Sequence, residues 1–174
     1  IPIIGPAVAR ILDQYARIIN AKRVFEMGSA IGYSTIWLAR AVGNEGRVFY
    51  TDGSQENADE ARAYFRRAGV ADRVDVLVGD ALDLIDSVSG EFDLVFNDVD
   101  KHQYPQAFRK AVPRVKSGGL LITDNALWYG RVARADSDPD TQGVREFNRL
   151  IYSSEELYST ILPIRDGVAV CLKL

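Results

Sequence analysis

The pattern that most constrains this chain is an alternation of short β-branched or aromatic runs with helical stripes, unbroken through five strands. Val8, Ile11, Leu12, Tyr15, Ile18 and Ile19 recur at helical spacing, and Arg23-Val-Phe-Glu-Met27 then reads as a strand ending at Gly28. A helix over Tyr33 to Val42, a turn at Gly43-Asn-Glu-Gly46 and a strand Arg47-Val-Phe-Tyr-Thr51 form the next unit. From Glu56 to Ala68, the residues Ala58, Ala61, Phe65 and Ala68 share a helix face; Gly69 stops that helix, and Val74-Asp-Val-Leu-Val78 supplies a third strand. Phe92 to Asn97 and Leu120 to Thr123 are the fourth and fifth. Between them Tyr104, Ala107, Phe108, Ala111, Val112 and Val115 make a continuous helical stripe that Ser117-Gly-Gly119 closes.

Strands separated by helices of about ten residues or more pair in parallel, and right-handed crossovers then place helices on both faces of one sheet. The pattern therefore predicts a doubly wound α/β fold. After Asp124 the rhythm changes to a polar loop from Arg131 to Thr141 and a helix carrying Val144, Phe147, Leu150 and Ile151. Two strand-like runs follow, flanking Pro163-Ile-Arg-Asp-Gly167 closely enough for an antiparallel hairpin. With no longer repeat, low-complexity segment or linker, residues 1–174 are expected to form one domain.

Composition narrows the function classes. Hydrophobic residues at 47% and charged residues at 26% exclude a disordered or fibrous chain. Lys and Arg number 21 against 24 Asp and Glu, and without a basic block nucleic acid is not the expected partner. No apolar run approaches the ~18 residues of a membrane span and no leader opens the sequence, so no membrane partner and a cytoplasmic location are expected. Cys171, the single cysteine, lies in Val168-Ala-Val-Cys-Leu172 and reads as a buried, inert thiol of a reducing compartment.

In such a sheet, ligands sit beyond the carboxyl ends of the strands. After the first strand comes Glu26-Met-Gly-Ser-Ala-Ile-Gly-Tyr-Ser34, where Gly28 and Gly32 permit a sharp turn and a close approach to a ligand. The G-x-x-x-G spacing is neither the dinucleotide fingerprint nor a P-loop, and by itself is equally a tight strand-to-helix turn. Asp52 ends the second strand, where a carboxylate can accept from both hydroxyls of a ribose; alternatively it caps the next helix, a role Ser54 can share. Asp80 can accept from an adenine amino group or cap a helix.

Asp98, Asp124 and Asn125 emerge from the fourth and fifth strand ends, and neighbouring strands lie about 4.8 Å apart. Two carboxylates and an amide converging there suit a hard divalent cation, Mg²⁺ first, with Ca²⁺ or Mn²⁺ as alternatives. They can also cap helices or pair with Lys101 and Arg131. His102, the only histidine, sits in a charged turn and reads as a solvated imidazole, which removes the base that a Ser-His-Asp or Cys-His hydrolase needs. Trp128 and Tyr129 can face a flat substrate or pack on the last helix.

These runs, taken in order, carry a family resemblance: Phe25-Glu-Met-Gly-x-x-x-Gly-Tyr-Ser34, Gly79-Asp-Ala81, Phe92-Asp-x-x-Phe-x-Asp-x-Asp-Lys101, Gly118-Gly-x-x-x-x-Asp-Asn-x-Leu-Trp-x-Gly130, Arg145-x-Phe-Asn148 and Leu162-Pro-x-x-Asp-Gly167. The chain resembles the metal-dependent S-adenosylmethionine O-methyltransferases of the catechol and caffeoyl-CoA type over nearly its whole length. The resemblance implies a mostly parallel seven-stranded Rossmann-like sheet with helices on both faces and an antiparallel last strand. It implies cofactor contacts at Glu26, Gly28, Ser29, Ser34, Asp52, Gly53, Asp80, Ala81, Asp98 and Asp100, and a metal at Asp98, Asp124 and Asn125. Lys101, with Asp98, takes the catalytic position, receiving or electrostatically helping to remove the proton of the acceptor hydroxyl. The acceptor implied is a small aromatic molecule with two adjacent hydroxyls, and the implied assembly is a homodimer.

Two departures stand out: Asn97 replaces an apolar residue, and Tyr129 stands where small or amide residues are common. Members of the family also carry more helices ahead of the first strand than the one ending near Asn20; if the natural protein begins here, a more open acceptor pocket is expected. The rival classes are a Rossmann-type nucleotide-dependent oxidoreductase and a cofactor-binding domain without methyl transfer. The missing third glycine, together with acids that have no task in hydride transfer, opposes the first. Intact Asp98, Lys101, Asp124 and Asn125 oppose the second.

Overall fold

In the computed structural model, residues 3–174 are described, and the alternation resolves into one seven-stranded sheet. Helix α1 (Gly5–Ile18) precedes β1 (Arg23–Met27), α2 (Tyr33–Val42), β2 (Arg47–Asp52), α3 (Gln55–Ala68), β3 (Val74–Val78), α4 (Ala81–Ser87) and β4 (Phe92–Asn97). Then come α5 (Tyr104–Ala111), β5 (Val115–Thr123), α6 (Pro139–Ser153), β6 (Leu157–Leu162) and β7 (Val168–Lys173). The strand order is β3-β2-β1-β4-β5-β7-β6, with β7 antiparallel to both neighbours and the other pairings parallel. Successive units step outward from β1 through β2 to β3, and the chain then returns to the other side of β1 with β4. Loops on either side of that reversal diverge and leave a crevice beyond the carboxyl ends of β1 and β4.

The period of two along each central strand splits the core into two layers. Val24, Leu94, Phe96, Leu120, Ile122, Val168 and Val170 pack beneath α1, α2 and α3 with Leu12, Leu38 and Phe65. Phe25, Met27, Val95, Leu121, Ala169 and Cys171 face Ile85, Tyr104 and Phe147 of α4, α5 and α6. Because β1 and β4 are covered on both faces, they contain apolar runs rather than strict polar alternation. Cys171 is fully buried, and burial pushes its thiol up to about 11, in line with an inert thiol. Among the described residues no helix is long and apolar enough to cross a membrane.

The structure corrects two boundaries. The stripe from Tyr104 to Val115 is not one helix: α5 ends at Ala111, a 3-10 turn covers Val112–Arg114, and Val115 already opens β5. Pro113 explains the break, since it has no N–H to donate and its ring collides with the carbonyl one turn back. The polar loop after Arg131 is also shorter than expected. Tight turns run over Trp128–Ala133, Arg131 pairs with Asp136 and Asp138, and Asp138 caps α6 by accepting from the Thr141 N–H at 3.0 Å.

Candidate active site

The loop after β1 needs its glycines. Gly28 (φ +82°) and Gly32 (φ +84°) occupy left-handed backbone, and a Cβ on Gly28 would stand 2.8 Å from the carbonyl oxygen of Asp98. The loop is tied to β2: Ser29 N–H donates to the Thr51 carbonyl at 2.9 Å, and Ala30 N–H to Asp52 Oδ2 at 3.0 Å. Asp52 Oδ1 accepts from Ser54 N–H at 2.8 Å and from Asn57 Nδ2 at 3.0 Å. Ser54, not Asp52, caps α3 through the Asn57 N–H. Asp52 thus stands between the glycine loop and α3, on the wall of the crevice. Asp80 takes the capping role, accepting from Leu82 N–H at 2.8 Å at the start of α4, although it also lines the crevice.

Asp98 and Asp124 continue the sheet one residue past β4 and β5, because Asp98 N–H donates to the Met27 carbonyl at 2.9 Å and Asp124 N–H to the Asn97 carbonyl at 3.2 Å. This fixes their side chains side by side. Burial raises the Asp98 carboxyl against the opposing pull of Lys101, whose Nζ lies 2.7 Å from Asp98 Oδ1. Asp124 is raised to about 6, mainly by burial and then by the charge of Asp98. Asn125 follows in left-handed backbone (φ +56°) and donates through Nδ2 to Asp166 Oδ2 at 3.2 Å, which leaves its carbonyl oxygen for another partner. Of the pairings weighed for these acids, that with Lys101 forms, while Arg131 is engaged elsewhere.

The donors Asp98, Asp124 and Asn125 form an all-oxygen set in which burial raises both carboxyls and the charge of Asp98 raises Asp124 further, a situation a divalent cation relieves. The residues present therefore fit a hard cation. Among the described residues no three His, Cys, Asp or Glu side chains gather into a metal-holding cluster; this set is two carboxylates and a carboxamide.

The crevice has a volume of about 750 Å³, within the range of small-molecule sites. Gly28, Ser29, Ser34, Asp52, Gly53, Asp80, Ala81, Asp98, Asp100, Lys101, Asp124 and Asn125 all line it. Glu26 does not. It is fully buried beneath the loop, where Oε2 accepts from the Thr35 hydroxyl and Oε1 has no partner. Burial pushes this carboxyl up to about 7, against the hydroxyls of Ser34, Thr35 and Ser29.

His102 is exposed and bound to Asp140. Trp128 packs against the α6 layer and also lines the crevice, while Tyr129 is 71% exposed at the rim. Three features escaped sequence reasoning: Asp166, which holds Asn125 and accepts from Tyr129 N–H at 2.5 Å; Arg165 beside it; and Gly143, which packs under Lys101. Asp166 lay within the run Leu162-Pro-x-x-Asp-Gly167, a signal that it had a task, but its partners are distant in sequence.

Residues 3–174 match the family model described as O-methyltransferase. The chain is 40% identical to a catechol O-methyltransferase of Mycobacterium tuberculosis over 88% of this chain and 73% of that one. It is 31% identical to caffeoyl-CoA O-methyltransferase 1 of Eucalyptus globulus, covering 94% and 71%. Among solved structures, an O-methyltransferase from Bacillus cereus in complex with SAH superimposes with a TM-score of 0.93 at 32% identity, covering 99% of this chain and 83% of that one.

Proposed function

The chain belongs to the O-methyltransferase family, and from that premise we propose that it transfers the methyl group of S-adenosylmethionine to one hydroxyl of an aromatic vicinal diol with the help of a divalent cation. The observation that carries this reading is one crevice with two chemically distinct ends. A glycine loop and Asp52 form one end; Asp98, Asp124, Asn125 and Lys101 form the other.

At the first end, Gly28 lets the loop approach a ligand, and Asp52 accepts from ribose hydroxyls as charged hydrogen bonds. Ser29, Ser34, Gly53, Asp80, Ala81 and Asp100 line the remainder of the cofactor's berth, and Glu26 supports the loop from below. At the second end, Asp98, Asp124 and Asn125 would hold the cation. When bound, it lowers the pKa of a coordinating hydroxyl and orients adjacent oxygens, which favours diols over single phenols. Lys101 adds positive charge beside the place where the acceptor hydroxyl loses its proton. Most of the acceleration comes from holding the two reactants in line for attack of the acceptor oxygen on the sulfonium methyl. The reading includes a second copy of the chain as partner, for which sedimentation at about twice 19.3 kDa is the expected result.

Methyl transfer to catechol from S-adenosylmethionine is the direct test. Turnover is expected with Mg²⁺ and should disappear in excess chelator or in Asp124→Ala. Asp52→Ala should weaken cofactor binding at least about tenfold, since each charged hydrogen bond contributes about 1.5 to 3 kcal/mol. Full turnover in chelator after exhaustive metal removal overturns the cation, and unchanged calorimetric affinity in Asp52→Ala overturns the cofactor's placement.

A further inference from the structure

Arg165 is an anomaly in its own loop. It occupies one of the two unspecified positions of Leu162-Pro-x-x-Asp-Gly167 and adopts left-handed backbone at φ +50°, which L side chains rarely do. Such a conformation persists where surrounding contacts impose it, and here they tie the loop to the acceptor end of the crevice. Ala126 N–H donates to the Gly167 carbonyl at 2.9 Å, Leu127 N–H to the Asp166 carbonyl at 2.8 Å, and Asp166 holds Asn125 and Tyr129.

Among the described residues, two cationic side chains line this crevice, those of Lys101 and Arg165. Lys101 is paired with Asp98. Arg165 forms no ion pair within 4.0 Å among the described residues, although its charge reaches Asp124 and the crevice is rich in acids. Its Nη1 donates to the Ile4 carbonyl and lies 3.5 Å from the Ile3 carbonyl, while Nε and Nη2 have no acceptor among the described residues. The guanidinium therefore presents unused donors at the rim, anchored on one side by the start of α1. A planar fork with two vacant N–H groups matches a bidentate oxyanion.

We propose, on the basis of the methyl-transfer reading above, that Arg165 is a specificity-determining residue that selects diol acceptors carrying a carboxylate away from the reacting hydroxyls. The carboxylate docks on the Arg165 fork at the rim while the diol reaches Asp98, Asp124 and Asn125 at the floor. Neutral diols fill the floor alone and lack the second anchor.

The test compares each of two acids, 3,4-dihydroxybenzoate and the longer 3,4-dihydroxycinnamate, with its own methyl ester. Affinity is measured by calorimetry on the protein loaded with S-adenosylhomocysteine and Mg²⁺, and kcat/KM with S-adenosylmethionine. In the unmodified protein at least one acid should bind about tenfold or more tightly than its ester, and the preference should shrink as salt is raised. Arg165→Gln should bring the ratio to about one, and Arg165→Lys should restore part of it. A role limited to holding α1 would weaken acid and ester together and leave the ratio intact, which overturns the proposal, as does a ratio near one for both pairs in the unmodified protein. Esters that are bound and methylated alongside such a ratio remove Arg165 alone; failure of every diol to bind removes the methyl-transfer reading with it.

Discussion

Lys101 is held from three sides: Asp98 Oδ1 lies 2.7 Å from its Nζ, the Tyr104 ring 5.0 Å and the Trp128 ring 5.9 Å. An ion pair with two aromatic faces fixes a flexible side chain and keeps its charge at the floor of the crevice. Lys101→Met should therefore lower kcat by about 10² or more while the affinity for S-adenosylmethionine stays within about threefold, because the charge acts mainly on the transition state. Single-turnover rates and calorimetry on the same variant measure the two; a kcat within about twofold of the unmodified value would reduce Lys101 to a structural cation. At this scale the sequence named the polar residues but left their tasks open. Asp52 and Asp80 carry the same oxygens at equivalent strand ends, and only the positions of Ser54 and Leu82 decide which one caps a helix.

Helix α6 reaches the site through a residue with no side chain. Gly143 lies within it, where intrinsic propensity favours alanine by about 0.5 to 1 kcal/mol. Packing reverses that preference: a Cβ there would stand 2.2 Å from the Lys101 carbonyl oxygen and 2.8 Å from the Cα of His102, both backbone atoms with no flexible end to move. Gly143→Ala should thus destabilise the fold by about 1 to 3 kcal/mol and displace the turn that carries Lys101. Urea titration measures the first effect. A fall in kcat larger than any change in cofactor affinity measures the second, and a stabilised variant with unaltered kcat would contradict both. Elements were legible because helical and strand periods are local. Their ends were less so where Pro113 cut a continuous stripe, and the contact of Gly143 with Lys101 has no local signal at all.

The molecule as a whole bears a stability cost at the end of its sheet. Glu26 is fully buried with one oxygen unpartnered, and its carboxyl is raised from 4.5 to about 7, chiefly by burial. A carboxyl raised on folding binds its proton more tightly in the native state. Its contribution is fully present below about pH 4.5 and is lost as the pH rises through about 7. Free energies of unfolding should accordingly fall by roughly 2 to 3 kcal/mol between pH 5 and pH 8 on account of this group. Glu26→Gln, which keeps the shape and removes the titration, should flatten that slope and be the more stable form at pH 8. Parallel urea titrations at the two pH values decide it, with an unaltered slope in the variant as the contrary result.

The sequence by itself determined the βα alternation, the two-layer burial of β1, β4, β5 and β7, and the identity of the acids at the strand ends. Each of these follows from residues a few positions apart, through the periods of strand and helix and the turn chemistry of glycine. Family motifs carried in the same runs extended that to the class of reaction. Only the tertiary structure decided what lies against what. The order β3-β2-β1-β4-β5-β7-β6 sets Gly28 against Asp98, buries Glu26 without a full set of partners and brings Asp166 to Asn125. It also turns Arg165 toward the crevice in strained backbone. Such contacts join residues far apart in the chain. Burial, desolvation and steric approach depend on every element packed around them, so no local pattern of residue types encodes them.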